Sequence, residues 1–412
     1  MPRWTRDKVN SLDATDELAS LRQQFRIPPE IRYFNGNSLG LLSQPAVAAL
    51  SDALEAWRSL GGEGWFRGSQ PWLGLVAKAA ALMAPLVGAE PESVTVANST
   101  TVNLHQLLST LFHPTPRRHK ILVDETIFCS DLYAIRSHLR LRNLDPDRDL
   151  VVVPTAGDGL LGEEAIVEKM TNDVACAILS SVVYNTGQLL ELERLTRAAR
   201  ERDILIGFDC SHSVGCIPHE LSRWDADFAF WCGYKYLNGG PGAPSGMFLN
   251  RRHFGSAPGL AGWFGCRKDR LLDMPRQMEA AADAEALQIS TPFILSLAAL
   301  SGALSLVSQA GIDALRAKSL RLTGLLIELI DDRLGDRVAI VTPRDEKRRG
   351  GHVAIAHPSA QAFCRALRER NIVADYRSPN IIRLAPSPLY NSFDDCYEAV
   401  EQLRSVLDQS DC

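Results

Sequence analysis

The chain has 412 residues, a few times the roughly 150-residue expectation for one domain, so it can bury a large core and reads as two domains rather than a disordered or disulfide-stapled chain. Lysine and arginine number 44 against 49 acidic residues, a formal charge of −5, with 46% apolar and 23% charged residues, an ordinary globular composition. That balance lacks the basic footprint that nucleic acid or an anionic membrane requires, so neither is an expected partner; the dense basic run Lys347-Arg348-Arg349 reads as a solvated loop.

In chain order, residues 1–85 are helical and loop-rich and are assigned to an N-terminal arm and part of a small domain. The opening stretch MPRWTRDKVNSLDATDELAS carries no apolar leader, and a cytoplasmic protein is expected. Residues 86–290 alternate short β-branched runs with amphipathic segments. Strands are predicted at Ser93–Ala97, Lys120–Asp124, Leu150–Val153, Val174–Ser180, Ile204–Phe208, Asp227–Cys232 and Ser245–Asn250, with helices such as Thr101–Phe112, Asp131–Leu141 and Leu192–Arg202 between them. This alternation predicts an α/β domain with a mostly parallel sheet covered on both faces. Residues 291–412 change pattern: a helical stretch from Pro292 to Asp332 breaks near Gly311, and strands follow at Val338–Val341, His352–Ala356, Ile372–Tyr376 and Ile381–Leu384. That reads as a smaller α+β domain. The most apolar stretch, Pro292–Val307, is about 16 residues and broken by serines, short of a membrane span.

Nine cysteines show no C-x-x-C spacing. The closest pair, Cys210 and Cys216, lies in DCSHSVGC beside Asp209 and His212, but a structural zinc needs four ligands and no second close pair exists, so no metal is expected.

Ligands of open α/β sheets bind at the carboxyl ends of strands, and four polar clusters fall there. Asn98-Ser99-Thr100-Thr101 opens a helix, where hydroxyls and free N–H groups make an anion cup or a simple N-cap. Phe128-Cys129-Ser130-Asp131 offers either a ring for stacking or a core phenylalanine. Asp209, at the end of ILIGF, needs a cationic partner, which a protonated heterocyclic nitrogen would supply, or caps the next turn. Lys235 follows the strand DFAFWC and precedes a glycine-rich loop, where desolvation would favour an imine-forming amine. Together these are the inventory of a pyridoxal phosphate site. No G-x-G-x-x-G follows the first strand, and neither G-x-x-x-x-G-K-[ST] nor G-x-S-x-G occurs.

At these residues the chain resembles the kynureninase family of fold type I, aspartate aminotransferase-like pyridoxal phosphate enzymes. The similarity runs from about Tyr33 to the C-terminus through FNGNSLGL (34–41), NSTTVNLH (98–105), FCSDLYAI (128–135), FDCSHSVG (208–215), YKYLNGGPGAP (234–244), GWFG (262–265), ISTP (289–292) and IRLAPSPLYNSFDD (382–395). The resemblance implies a large domain built on a seven-stranded, mostly parallel sheet, a smaller C-terminal domain, and hydrolysis of the Cβ–Cγ bond of L-kynurenine or a ring-substituted kynurenine within tryptophan catabolism. It implies that Lys235 forms the imine and moves protons, that Asp209 partners the pyridinium nitrogen with His212 beside it, and that Phe128 stacks with Asp131 nearby. Thr100, Thr101, Ser180 and Tyr234 would contact the phosphate or cofactor, and Tyr234 is also a candidate proton donor. Trp263 and Thr291 would reach the phosphate of a neighbouring subunit, making a homodimer. Arg383 would grip the substrate carboxylate, with Asn37, Ser38, Phe264 and Arg67 also on the substrate side.

The chain departs from the family pattern near the expected aryl pocket: Cys266 follows GWFG where several relatives have histidine, and Arg67 stands where some place a ring-contacting histidine. Ring preference is where a difference is expected. The nearest rival is another fold type I enzyme, a lyase, desulfurase or decarboxylase acting on a different amino acid; a silent binding protein is the third reading.

Overall fold

Runs of β-branched and aromatic residues with both faces apolar become the strands of a central sheet, because only full burial repays their lost solvation. The computed structural model describes residues 3–410. Seven strands form this sheet: β1 Val94–Ala97, β2 Lys120–Asp124, β3 Leu150–Val153, β4 Val174–Ser180, β5 Leu205–Asp209, β6 Phe228–Trp231 and β7 Ser245–Leu249. Their order is β1-β7-β6-β5-β4-β2-β3, and β7 alone runs antiparallel to both its neighbours. The period-two alternation sorts side chains onto two layers: Ile121, Val123, Phe228 and Phe230 join the core over helices Thr100–Leu111 and Cys129–Leu141, while Leu122, Ala229 and Trp231 face the opposite core. The carboxyl ends of β1, β2, β4, β5 and β6 therefore share one edge.

A four-stranded antiparallel sheet, β10-β11-β9-β8, is made by β8 Ala339–Ile340, β9 Val353–Ala356, β10 Asp375–Arg377 and β11 Ile381–Leu384. The single strand predicted over Ile372–Tyr376 is instead two: Ile372–Val373 pairs in parallel with Arg32–Tyr33, and the chain then turns to give β10. Its own core combines Val9 and Phe34 with residues from Leu322 to Leu407. Asp13 caps the last helix, its carboxylate accepting from the N–H groups of Phe393 (2.7 Å) and Asp394 (2.9 Å).

Two further expectations are corrected. The helical stretch breaks at Gly311 as read, but Ile294–Ala310 packs Leu297, Leu300, Leu304 and Val307 into the core of the large sheet, and Leu315 of the next helix joins them, so the cores part between Leu315 and Leu322 and not at 290. The basic run is not a solvated loop. Arg349 is 2% exposed, and its guanidinium donates to Thr323 Oγ1 and to the carbonyls of Arg344 and Leu320. Arg348 pairs with buried Glu163 at 2.9 Å. Among the described residues no single helix is long and apolar enough to cross a membrane.

Candidate active site

Each polar cluster sits on that shared carboxyl edge. Thr100 and Thr101 open the helix Thr100–Leu111, whose Ser99 N-cap makes no side-chain capping bond, so the first-turn N–H groups keep their donor capacity. The Thr100 hydroxyl meets Ser245 Oγ at 2.9 Å, and that of Thr101 meets Ser130 Oγ at 2.7 Å, so the cup is tied to the next helix. Phe128 is not a core residue: it is 45% exposed, its ring edge-on to Tyr184 at 5.9 Å. Exposure leaves a ring face free for stacking.

Asp131 and Asp209 lie side by side. Asp209 Oδ1 accepts from the Ser211 N–H at 2.8 Å, and its carbonyl is held by the N–H and hydroxyl of Ser181, both at 2.9 Å. Asp131 is 2% exposed and its Oδ2 has no partner. Burial first, and the neighbouring Asp209 charge second, push the Asp131 carboxyl up to about 9, with Lys235 pulling partly the other way. A protonated ring nitrogen beside these two carboxyls would give Asp131 Oδ2 the partner it lacks. Ser180, at the end of β4, is buried and donates its backbone N–H to Asp124 at 2.9 Å.

Lys235 follows β6 in an irregular loop onto which the 36–40 segment docks. The Gly40 N–H donates to the Tyr234 carbonyl at 2.7 Å, and a Cβ at Gly40 would stand 2.4 Å from the Lys235 carbonyl, so only glycine fits. Burial, then Cys232, Asp209 and Asp131, hold the Tyr234 phenol well above its usual range, so it remains protonated. His212 is buried with Nδ1 unpartnered, and burial with the Lys235 charge holds it neutral.

Arg383, on β11, has a fully buried side chain. Its Nε donates to Asp375 Oδ2 at 2.8 Å, Nη2 also bonds Asp375 and reaches Ser38 Oγ at 3.2 Å, and Nη1 donates to the Tyr184 carbonyl at 2.7 Å. Arg377 reaches the same Asp375 oxygen at 3.0 Å. Asn37 is fully buried with both amide atoms unpartnered. Tyr184, His352, Asp375 and Arg377 escape the sequence reading. The i, i+8 spacing of Asp375 and Arg383 in a hairpin is the signal that could have found that pair, and they are register partners across β10 and β11.

The remaining candidates gather elsewhere. Trp263, Phe264 and Thr291 line an apolar cleft of about 360 Å³ with Trp65, Phe66 and Lys268, the Lys268 ammonium standing 4.7 Å over the Phe264 ring. Arg67, next to Phe66 in the chain, is exposed, and Thr291 also lines a small hollow with Asn98, at the start of the Thr100 cup. Among the described residues no three His, Cys, Asp or Glu side chains are grouped to hold a metal.

The unpartnered Asp131 acid, the uncapped helix with its hydroxyls, the open Phe128 ring and the free Lys235 amine fit pyridoxal 5'-phosphate. Fold and site thus define a pyridoxal phosphate-dependent enzyme of fold type I. The fold is similar to that of a lysine variant of C-DES with glycine covalently linked to its cofactor (TM-score 0.80, 18% identity, 93% of this chain and 98% of that one). It is equally similar to the cysteine desulfurase of Thermococcus onnurineus (TM-score 0.80, 18% identity, 95% and 98%). Residues 315–403 match the kynureninase C-terminal domain family. The chain is 46% identical to the kynureninase of Geobacillus thermodenitrificans and 47% identical to that of Shouchella clausii, in each case over 98% of this chain and 95% of the relative. The chain belongs to the kynureninase family.

The Asp131 carboxyl carries a linkage prediction. Between about pH 4, where an unfolded carboxyl ionises, and about pH 9, where this one does, the folded protein keeps a proton that the unfolded chain has released, so stability falls as pH rises through that window. Asp131→Asn is expected to raise the unfolding midpoint of the cofactor-free protein by a few degrees at pH 8 and to leave it unchanged at pH 4. Equal shifts at both pH values in a thermal melt would show an ordinary carboxyl.

Proposed function

We propose that this chain uses pyridoxal 5'-phosphate to hydrolyse the Cβ–Cγ bond of L-kynurenine or a ring-substituted kynurenine, releasing an anthranilate and L-alanine. The observation that carries the reading is the meeting of two sets at the interdomain seam: Lys235, Asp209 and His212 from the large sheet, and Arg383 with Ser38 and Asn37 from the small core. When bound, the cofactor supplies an electron sink for the carbanions formed at Cα and Cβ. Lys235 removes the α-proton, its amine otherwise unengaged. Asp209 and Asp131 hold the proton at the ring nitrogen, Thr100 and Thr101 orient the phosphate with Ser180 nearby, and Phe128 keeps water off one ring face. Arg383 fixes the substrate carboxylate, and Tyr234, protonated at working pH, delivers the proton to Cβ.

The working unit is a homodimer. Trp263 and Thr291 are exposed beside Phe66 and Leu272, themselves 51% and 61% exposed, an apolar surface that suits a second copy and would bring both residues to its phosphate site. The eight described cysteines are all unpaired, which fits the reducing cytoplasm. Cys266 is buried in the small cluster with Phe264 and Leu271, so its replacement of a histidine alters the wall of the aryl cleft and not the cofactor set.

The test is absorbance of the holoenzyme, sized at twice its 45.3 kDa chain mass, followed by addition of L-kynurenine and then 3-hydroxy-L-kynurenine. Anthranilate-type fluorescence with one of them is the expected result. A yellow protein that shifts its band with both and releases no anthranilate would move the reaction to another amino acid.

A further inference from the structure

His352 is buried completely, yet neither of its ring nitrogens has a hydrogen-bond partner. An unpaired buried polar atom costs about 1–3 kcal/mol, and a fold keeps such a group where something outside the chain satisfies it. The ring stands at the seam between the two cores, one residue before β9, its centroid 6.0 Å from that of His212.

The seam is built to fix it there. The Leu189 N–H donates to the Arg348 carbonyl at 2.9 Å, the Gly350 N–H to the Gly187 carbonyl at 2.7 Å, and Thr342 Oγ1 to the Thr186 carbonyl at 2.5 Å. Gly187, at φ +75°, closes over the histidine: a Cβ there would lie 2.9 Å from the His352 carbonyl and 3.2 Å from its Nε2. Burial first, then the charges of Arg383, Arg377 and Lys235, hold the imidazole neutral, with the backbone of Tyr184 pulling the other way from beyond hydrogen-bond geometry. The carboxylate facing this group, Asp375, already receives Arg383, Arg377 and Ser38. An anion is missing where these groups converge.

The donor count says how that anion is held. Arg383 has five N–H groups, of which two go to Asp375, one to Ser38 and one to the Tyr184 carbonyl, leaving a single N–H for a carboxylate with two oxygens. We propose that His352 is a substrate-binding residue that donates the second hydrogen bond to the α-carboxylate of the amino-acid substrate, completing the grip of Arg383. The assignment rests on the kynureninase reading of this site.

The test uses holoenzyme carrying His352→Phe or His352→Gln, and reads KM and kcat for L-kynurenine, the dissociation constant of L-alanine from the shift of the cofactor band, and cofactor content without substrate. L-alanine shares the carboxylate and lacks the ring. In His352→Phe both KM and the L-alanine constant are expected to rise about ten- to hundredfold with kcat within about threefold and cofactor content unchanged. His352→Gln, which keeps an N–H, recovers most of the loss. Unchanged KM and L-alanine binding in His352→Phe overturn the assignment, as does loss of cofactor in both variants, which marks a structural role. A native enzyme that binds L-alanine but cleaves no kynurenine sinks the proposed reaction instead, and the L-alanine arm still reads His352.

Discussion

Lys235→Ala leaves a folded protein that no longer cleaves kynurenine, with a turnover at least about 10⁴-fold below that of the native chain. The size of the effect follows from what the side chain does and does not do. Its ammonium makes no hydrogen bond or ion pair among the described residues, so truncation removes no structural contact; the loop is held by backbone, the Lys235 carbonyl accepting from the Asn238 N–H at 3.0 Å and the Tyr234 carbonyl from Gly40 at 2.7 Å. Its electrostatic surroundings include the carboxyl of Asp131, which its charge pulls downward, so losing the cation changes local charge and not packing. Anthranilate release per mole of enzyme and the thermal midpoint are measured together. Activity within tenfold of native would remove Lys235 from the chemistry, and a collapsed midpoint would assign it a structural role.

The second large effect is at Arg383. Replacement by alanine is expected to raise KM about 10²-fold or more while the cofactor band of the resting enzyme stays as it was, because the guanidinium faces Asp375, Ser38 and Tyr184 and not Asp209. A stability loss accompanies it. Asp375 would be left largely buried with its main partner gone, at a cost of about 3–5 kcal/mol. The double variant Arg383→Ala, Asp375→Asn separates the two: it regains most of the stability and none of the affinity. Arg383→Lys should not rescue binding, since an ammonium cannot span Asp375, Ser38 and the Tyr184 carbonyl at once. A single variant whose KM recovers along with its melting temperature would show that the arginine acts only through stability.

The sequence made the large sheet legible because its inner strands are buried on both faces, which writes a continuous apolar run: Lys120–Asp124 and Val174–Ser180 match the structure to the residue, as does the edge strand Leu150–Val153, whose β-branched run is only partly buried. The polar edge of the sheet was readable for a related reason, since Thr100, Asp209 and Lys235 each follow or end such a run. What failed depends on partners distant in the chain. Arg349 looked like part of an exposed basic run because nothing local shows that Leu320 and Thr323, on a helix ending sixteen residues earlier, will surround its guanidinium. Ala374 gives no local sign that the chain there leaves one sheet for another. His352 was passed over because a lone histidine before a strand is ordinary until its two nitrogens are seen to be unpaired. Ile294–Ala310 was given to the wrong core because its apolar faces do not name the sheet they pack on.

The small core joins residues 9 and 34 to residues 322–407, and that has a consequence for how the protein is made. Val9 and Phe34 are packed among residues from Leu322 onward, Asp16 is paired with buried Lys318 at 2.6 Å, and Asp13 caps the final helix. Once synthesised, Val9 waits for partners some three hundred positions downstream, about 15–60 s at ordinary elongation rates. The large sheet can assemble in that interval, because its strands lie between residues 94 and 249. Val9 and Phe34 cannot be covered in that interval, and they stay exposed until residues 322–407 have been made.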